Sequence, residues 1–254
     1  MFNGSGTRAF FIRIMLIFWA IYSPGSLGAA EPPSANVIPQ LIDDARGGIR
    51  GMEWKLRVIS QGVNGIQEFK AFTKVRGYYS VSSVETPQHL RGAKIFTAKD
   101  KLWFWKPGQS LPVPVTRQQN LLGPISYGDI VGFDYTKNYK AKFIGEEEIE
   151  GKSAWVYLLE AITPIAPYQS LIYWLDQQDL LGLKTDFYSA SGKKLRTARM
   201  KYENTIIVNG KAAPSISEII FTNELVNHEI VTVFFIDPVV KDIPDNDFNL
   251  KIEP

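Results

Sequence analysis

The chain has 254 residues, 45% apolar and 21% charged, an ordinary globular composition that excludes a low-complexity or disordered protein. It has no cysteine and two histidines, His89 and His228, which excludes disulfides, thiol catalysis and a histidine-rich metal centre. Residues 1–30 carry Arg8 and Arg13 and no acidic residue, so without them Lys+Arg falls from 28 to 26 against 26 Asp+Glu. A neutral chain offers no footprint for nucleic acid.

In chain order, Arg8 and Arg13 form a basic n-region, Ile14 to Tyr22 an apolar run, and Gly28-Ala29-Ala30 the small residues that precede a cleavage bond. The expectation is a signal peptide, residues 1–30, cut after Ala30. An anchoring helix would need about 20 apolar residues, and Arg13 leaves too few. Lacking a cysteine to lipidate, the exported chain is expected to be a soluble periplasmic monomer.

A short tether, residues 31–37, leads to Ile38, Leu41, Ile42, Ala45 and Ile49 at helical spacing. One amphipathic helix is expected there, with Asn36 as N-cap and Gly47-Gly48 at its end. From Glu53 onward, β-rich runs separated by turns fall at 53–61, 65–75, 77–85, 92–98, 101–106, 139–149, 153–161, 169–176, 181–190, 193–203, 215–223 and 228–236. Gly-Lys turns in "EEIEGKSAWVY", "YSASGKKLRT" and "IIVNGKAAPS" mark hairpins. The fold class is therefore mainly β, within α+β: one large, curved antiparallel sheet, closed or partly closed into a barrel, spanning residues 38–254.

Residues 107–138 interrupt the meander. Pro112 and Pro114 exclude a central strand, and Leu121, Leu122, Ile125, Ile130 and Val131 are apolar without alternation. Such an insertion is expected to be a lid or a binding loop, or else short helices packed inside the sheet. Its Gly108, Gly123, Gly128 and Gly132 supply points of freedom.

No nucleophile elbow, phosphate loop or dinucleotide fingerprint is present, and no cofactor is expected. The acidic run Glu146, Glu147, Glu148 and Glu150 leads into a hairpin and reads as a solvated edge, and Asp242, Asp245 and Asp247 lack the spacing of a calcium loop. Aromatic placement is the stronger signal. In "FTAKDKLWFWKPGQ", Leu102 and Phe104 share one strand face and Trp103 and Trp105 the other, so both faces are apolar. Trp103, Trp105, Trp155, Tyr157, Trp174, Phe187 and Phe235, with Leu121, Leu122, Ile125, Tyr127 and Ile130 of the insertion, could line a common apolar cavity or simply fill the core.

The ordered series "LRGAKIFTAKDKLWFWKPGQ", "GPISYGDIV", "FIGEEEIEGKSAWVYLLEA", "YWLDQQDLLGLKTDFYSASGKKLRT" and "PDNDFNL", within residues 38–250, resembles the outer-membrane lipoprotein-sorting proteins, relatives of the periplasmic carrier LolA. The resemblance implies an unclosed β-barrel with a helical lid over an apolar cavity that accepts acyl chains. The implied partners are acylated lipoprotein or phospholipid cargo, an inner-membrane transporter and an outer-membrane acceptor. Where such proteins carry "SYED", this chain reads Ser126-Tyr127-Gly128-Asp129. The competing expectation is a protein-interaction accessory of an envelope lipid or RND-type transporter, with a filled barrel core.

Overall fold

The computed structural model describes residues 31–45, 51–63, 65–98, 101–116, 119–122, 125–126, 128–129, 134–226 and 229–248. The expected cleavage after Ala30, together with Gly47, Gly48, Tyr127, Ile130 and His228, lies outside them. A 3-10 turn, Ala35–Val37, leads into helix α1, Ile38–Ala45. Asn36 lies inside that turn and is not the N-cap. Pro39 has no N–H to give, and Val37 N donates to Ser34 O at 3.0 Å, which tightens the entry.

The first meander comprises β1 (Met52–Gly62), β2 (Gly65–Arg76), β3 (Tyr79–Thr86), β4 (Lys94–Ala98), β5 (Lys101–Trp105) and β6 (Val113–Val115). Within the insertion follow a two-stranded hairpin, β7 (Asn120–Leu122) with β8 (Ile125–Ser126), and helix α2, Tyr135–Asn138. The second meander comprises β9 (Tyr139–Ile149), β10 (Lys152–Ala161), β11 (Ser170–Asp176), β12 (Gly182–Tyr188) and β13 (Lys194–Lys201). A separate hairpin, β14 (Asn204–Val208) with β15 (Lys211–Ser215), precedes β16 (Glu218–Asn223) and β17 (Ile230–Val240).

Thirteen strands form one antiparallel sheet in the order β6-β5-β4-β3-β2-β1-β17-β16-β13-β12-β11-β10-β9. It is not closed, because β6 and β9 are both edges. Pro114 is tolerated because β6 pairs with β5 alone. The Gly-Lys turns do what their sequence predicts: Glu150-Gly151 and Asn209-Gly210 both have positive φ, the conformation that suits a two-residue hairpin. Register shifts in the β1–β17, β2–β3, β9–β10, β11–β12 and β12–β13 pairs increase the local twist and curl the sheet.

Alternation sorts the side chains. Leu56 and Val58 on β1, Phe69 on β2, Tyr157 and Leu159 on β10, Leu171 and Leu175 on β11, Phe221 on β16 and Val231 on β17 are all buried in one interior cluster. Ile38 and Ile42 of α1 complete that cluster, so the apolar stripe read from the sequence lies on the concave face. Tyr157 donates its hydroxyl to Pro33 O at 2.7 Å, and burial pushes that hydroxyl up to about 12. Asp43 accepts the backbone N–H groups of Tyr135 and Thr136, each at 3.0 Å, and so fastens α1 to α2. Burial raises the Asp43 pKa against the pull of those bonds.

The C-terminal segment lies against β2. Lys74 pairs with Asp247 at 2.9 Å, Arg76 pairs with Asp245 and stacks 5.2 Å from the Phe248 ring, and Ile243 is fully buried. Arg76→Ala is expected to cost about 1–2 kcal/mol and to speed proteolysis of residues 241–248 ahead of global unfolding.

At the far end of β11, Asp176 accepts Lys152 Nζ at 2.6 Å and Gln178 N at 2.9 Å. Burial alone would raise its pKa, but the Lys152 ammonium and the turn amides outweigh burial and hold it below the usual value. An unfolded aspartate titrates near 3.9, so this stabilisation is present above about pH 4 and is lost as pH falls through the lower folded value. The melting temperature of Asp176→Asn should therefore lie below that of the parent at neutral pH and converge with it in acid.

Candidate functional site

Within the interior, the insertion and the barrel wall meet at one polar point. β13 reads Arg196, Ala198, Met200 on one face and Leu195, Thr197, Arg199 on the other, and it is the face bearing Arg196 that turns inward. Arg196 stands opposite Phe187 in the β12–β13 register and is 5% exposed. Its guanidinium lies 5.0 Å from the Tyr168 ring centroid, 4.9 Å from Phe187 and 5.1 Å from Phe221. Three aromatic faces surround one cation, an arrangement favourable only where water is largely absent.

The counter-charge comes from the insertion. Asp129, 4% exposed, takes Arg196 Nη2 and the Tyr168 hydroxyl on Oδ1, the latter at 3.2 Å. Its Oδ2 accepts Ser126 N at 2.8 Å and Ser126 Oγ at 2.7 Å. Both carboxylate oxygens are thus satisfied, two donors coming from the insertion and two from the barrel. Tyr168 is itself fixed: its backbone N donates to Tyr139 Oη at 3.2 Å and its carbonyl accepts that hydroxyl at 3.1 Å. Burial drives the Tyr139 pKa far above the usual tyrosine range, so the hydroxyl keeps its proton as a donor.

The aromatic and apolar residues picked out in the sequence divide between two faces. Trp155, Tyr157, Phe187 and Ile125 join the interior cluster, with Phe235, Leu121 and Leu122 packed against it. Trp103 and Trp105 do not join it. On β5 it is Leu102 and Phe104 that contact the interior, whereas Trp103 stacks on Phe96 at 5.3 Å, with ring planes 9° apart. Trp174 belongs to a separate outer cluster with Ala154 and Val156, beneath Lys184 at 3.8 Å. On β5 only Leu102 is fully buried, while Trp103, Phe104 and Trp105 are each half-buried.

The acidic run is accounted for on the outer surface. Glu147 accepts Trp174 Nε1 at 2.8 Å, Glu146 accepts Gln177 Nε2 at 3.2 Å and Glu150 pairs with Arg199 at 3.2 Å. Among the described residues, no group of three or more His, Cys, Asp or Glu is placed to hold a metal ion. Among the described residues, the buried charged side chains are Arg196, Asp129, Asp176 and Asp186, and of these Arg196 and Asp129 pair with each other. Arg196 escaped the sequence reading, although the alternation of "KLRTARM" sets it on a face with Ala198 and Met200.

Residues 77–252 match a family model described as that of an uncharacterized protein. The fold is shared with a LolA superfamily protein of Nitrosomonas europaea, at 25% identity and a TM-score of 0.74 over 86% of this chain and 98% of that one. The chain belongs to the family of the model matched by residues 77–252, and its fold is LolA-like. A lipoprotein-sorting domain of Vibrio parahaemolyticus superposes with a TM-score of 0.71 at 17% identity, covering 85% of this chain and 96% of that one. A DUF1329 family protein of Desulfovibrio piger gives 0.72 at 13% identity, with the same two coverages. No curated protein matches. The chain thus has a LolA-like fold, and among its described residues no helix is long and apolar enough to cross a membrane.

Proposed function

We propose that this LolA-like chain is a soluble periplasmic carrier, not an enzyme, that shields the acyl chains of lipoproteins or phospholipids between an inner-membrane transporter and an outer-membrane acceptor. The observation that carries this reading is the composition of the interior. The concave face is apolar along the sheet, yet part of its filling comes from α1 and the insertion, through Ile38, Ile42, Leu121, Leu122 and Ile125, and not from the sheet itself. An acyl chain replaces those side chains by like for like, each buried methylene contributing about 0.8 kcal/mol. Displacement of the insertion would then load and release the cargo.

Native mass spectrometry with lipid extraction, on protein prepared from periplasm without detergent, tests the reading. A bound phospholipid or acylated peptide supports it. An empty protein that also ignores added fatty-acyl probes overturns it.

A second reading, an accessory that binds an envelope protein, draws on one observation. Val63 and Ile66 at the β1–β2 tip are 85% and 73% exposed, and Leu225, Val226 and Ile230 at the adjoining β16–β17 tip are also exposed. Apolar residues gathered at neighbouring tips suit a partner surface. Charged substitutions there would abolish partner capture without altering lipid content.

A further inference from the structure

The barrel holds a charge that a purely apolar carrier would not need. Arg196 is buried on the inner face of β13 beneath three rings, and its carboxylate partner belongs to a different part of the chain. When the insertion moves, Ser126 leaves with Asp129, but Arg196 and Tyr168 stay with the barrel. Taking a carboxylate away from a buried guanidinium is disfavoured, so an uncharged ligand that displaced Asp129 would remove a negative charge without restoring it. A ligand bringing its own anion exchanges one oxyanion for another.

We propose that Arg196 and Tyr168 form an anion-binding site within the acyl chamber, selecting amphiphiles with an ionised head group, carboxylate or phosphate, and that the Asp129 carboxylate fills this site in the present structure. The inference rests on the carrier reading. It adds that the cargo is an anionic amphiphile and that its head group, not its chain, releases the insertion. Toward Asp129 the planar guanidinium and the phenol hydroxyl both act as donors, a set that suits either oxyanion. The rings of Phe187 and Phe221 flank the site and would adjoin the first methylenes of the chain.

Titration calorimetry with dodecanoate, dodecyl phosphate, dodecanol and inorganic phosphate, at about pH 8 where both head groups are ionised, tests it. The expected result is that the two anionic amphiphiles bind the parent protein about tenfold or more tighter than dodecanol, the scale of a charge-assisted hydrogen bond. Which of the two binds tighter identifies the head group. Asp129→Asn keeps the preference and tightens anion binding by about tenfold, because no carboxylate competes, whereas Arg196→Met removes the preference. Should either variant fold poorly, Tyr168→Phe narrows the preference several-fold with the charge intact, and dodecanoate, unlike dodecanol, raises the melting temperature of Asp129→Asn. Equal binding of dodecanol and dodecanoate overturns this inference and leaves the carrier reading standing. Inorganic phosphate binding as tightly as dodecyl phosphate overturns it too, since the site would then serve a free anion. Failure of every chain, dodecanol included, overturns both.

Discussion

Asp129→Ala lowers the unfolding free energy by about 3–5 kcal/mol, because it takes the Asp129 carboxylate away from the buried Arg196 guanidinium. The cost comes from the charge left behind more than from the bond removed. Replacing both partners by apolar residues, Asp129→Leu with Arg196→Met, should therefore recover most of the loss, since a buried ion pair and a well-packed apolar pair of similar volume are close in stability. Urea unfolding of the single and double variants checks this. An Asp129→Ala midpoint within error of the parent would mean that water reaches Arg196 freely.

Phe221→Ala is the second large effect, at about 3–5 kcal/mol. Phe221 is 1% exposed on β16, 6.3 Å from the Phe187 ring centroid, and it covers one side of Arg196. Its loss opens a cavity and uncovers the cation together, so its coupling to Arg196 should not vanish. A double-mutant cycle with Arg196→Met, read by chemical denaturation, should give a non-additive term; strict additivity would place the two residues out of contact.

Much of the fold was legible in the sequence because strands of a meander announce themselves locally. Alternation and Gly-Lys turns are properties of ten or so adjacent residues, and the runs at 139–149 and 153–161 correspond to β9 and β10 within one residue at each end. The elements that escaped, β6 to β8, are two or three residues long and lie in the insertion, too short to carry a period. The hairpin β14–β15 was marked by its turn alone. The site was legible only in part. Phe187 and Ile125 could be picked out as apolar, but the inward face of β5 could not, because Leu102, Phe104, Trp103 and Trp105 make both faces hydrophobic. Arg196 was hidden for the opposite reason: a cation on a strand rich in lysine and arginine reads as surface until its partner, 67 positions away, is known.

The strand order has a kinetic consequence. Every neighbouring pair in the main sheet is joined by a turn, an insertion or the β14–β15 hairpin, except β1 with β17, which brings Gln61 opposite Ile230. The two half-sheets can each zip from local contacts, but their junction waits for the last strand, since closing so long a loop carries the largest entropic cost. A chain emerging N-terminus first therefore holds β1–β6 with β1 unpaired along one side until β17 arrives. Closure of the full sheet is thus gated by the arrival of β17, the 11 residues Ile230–Val240.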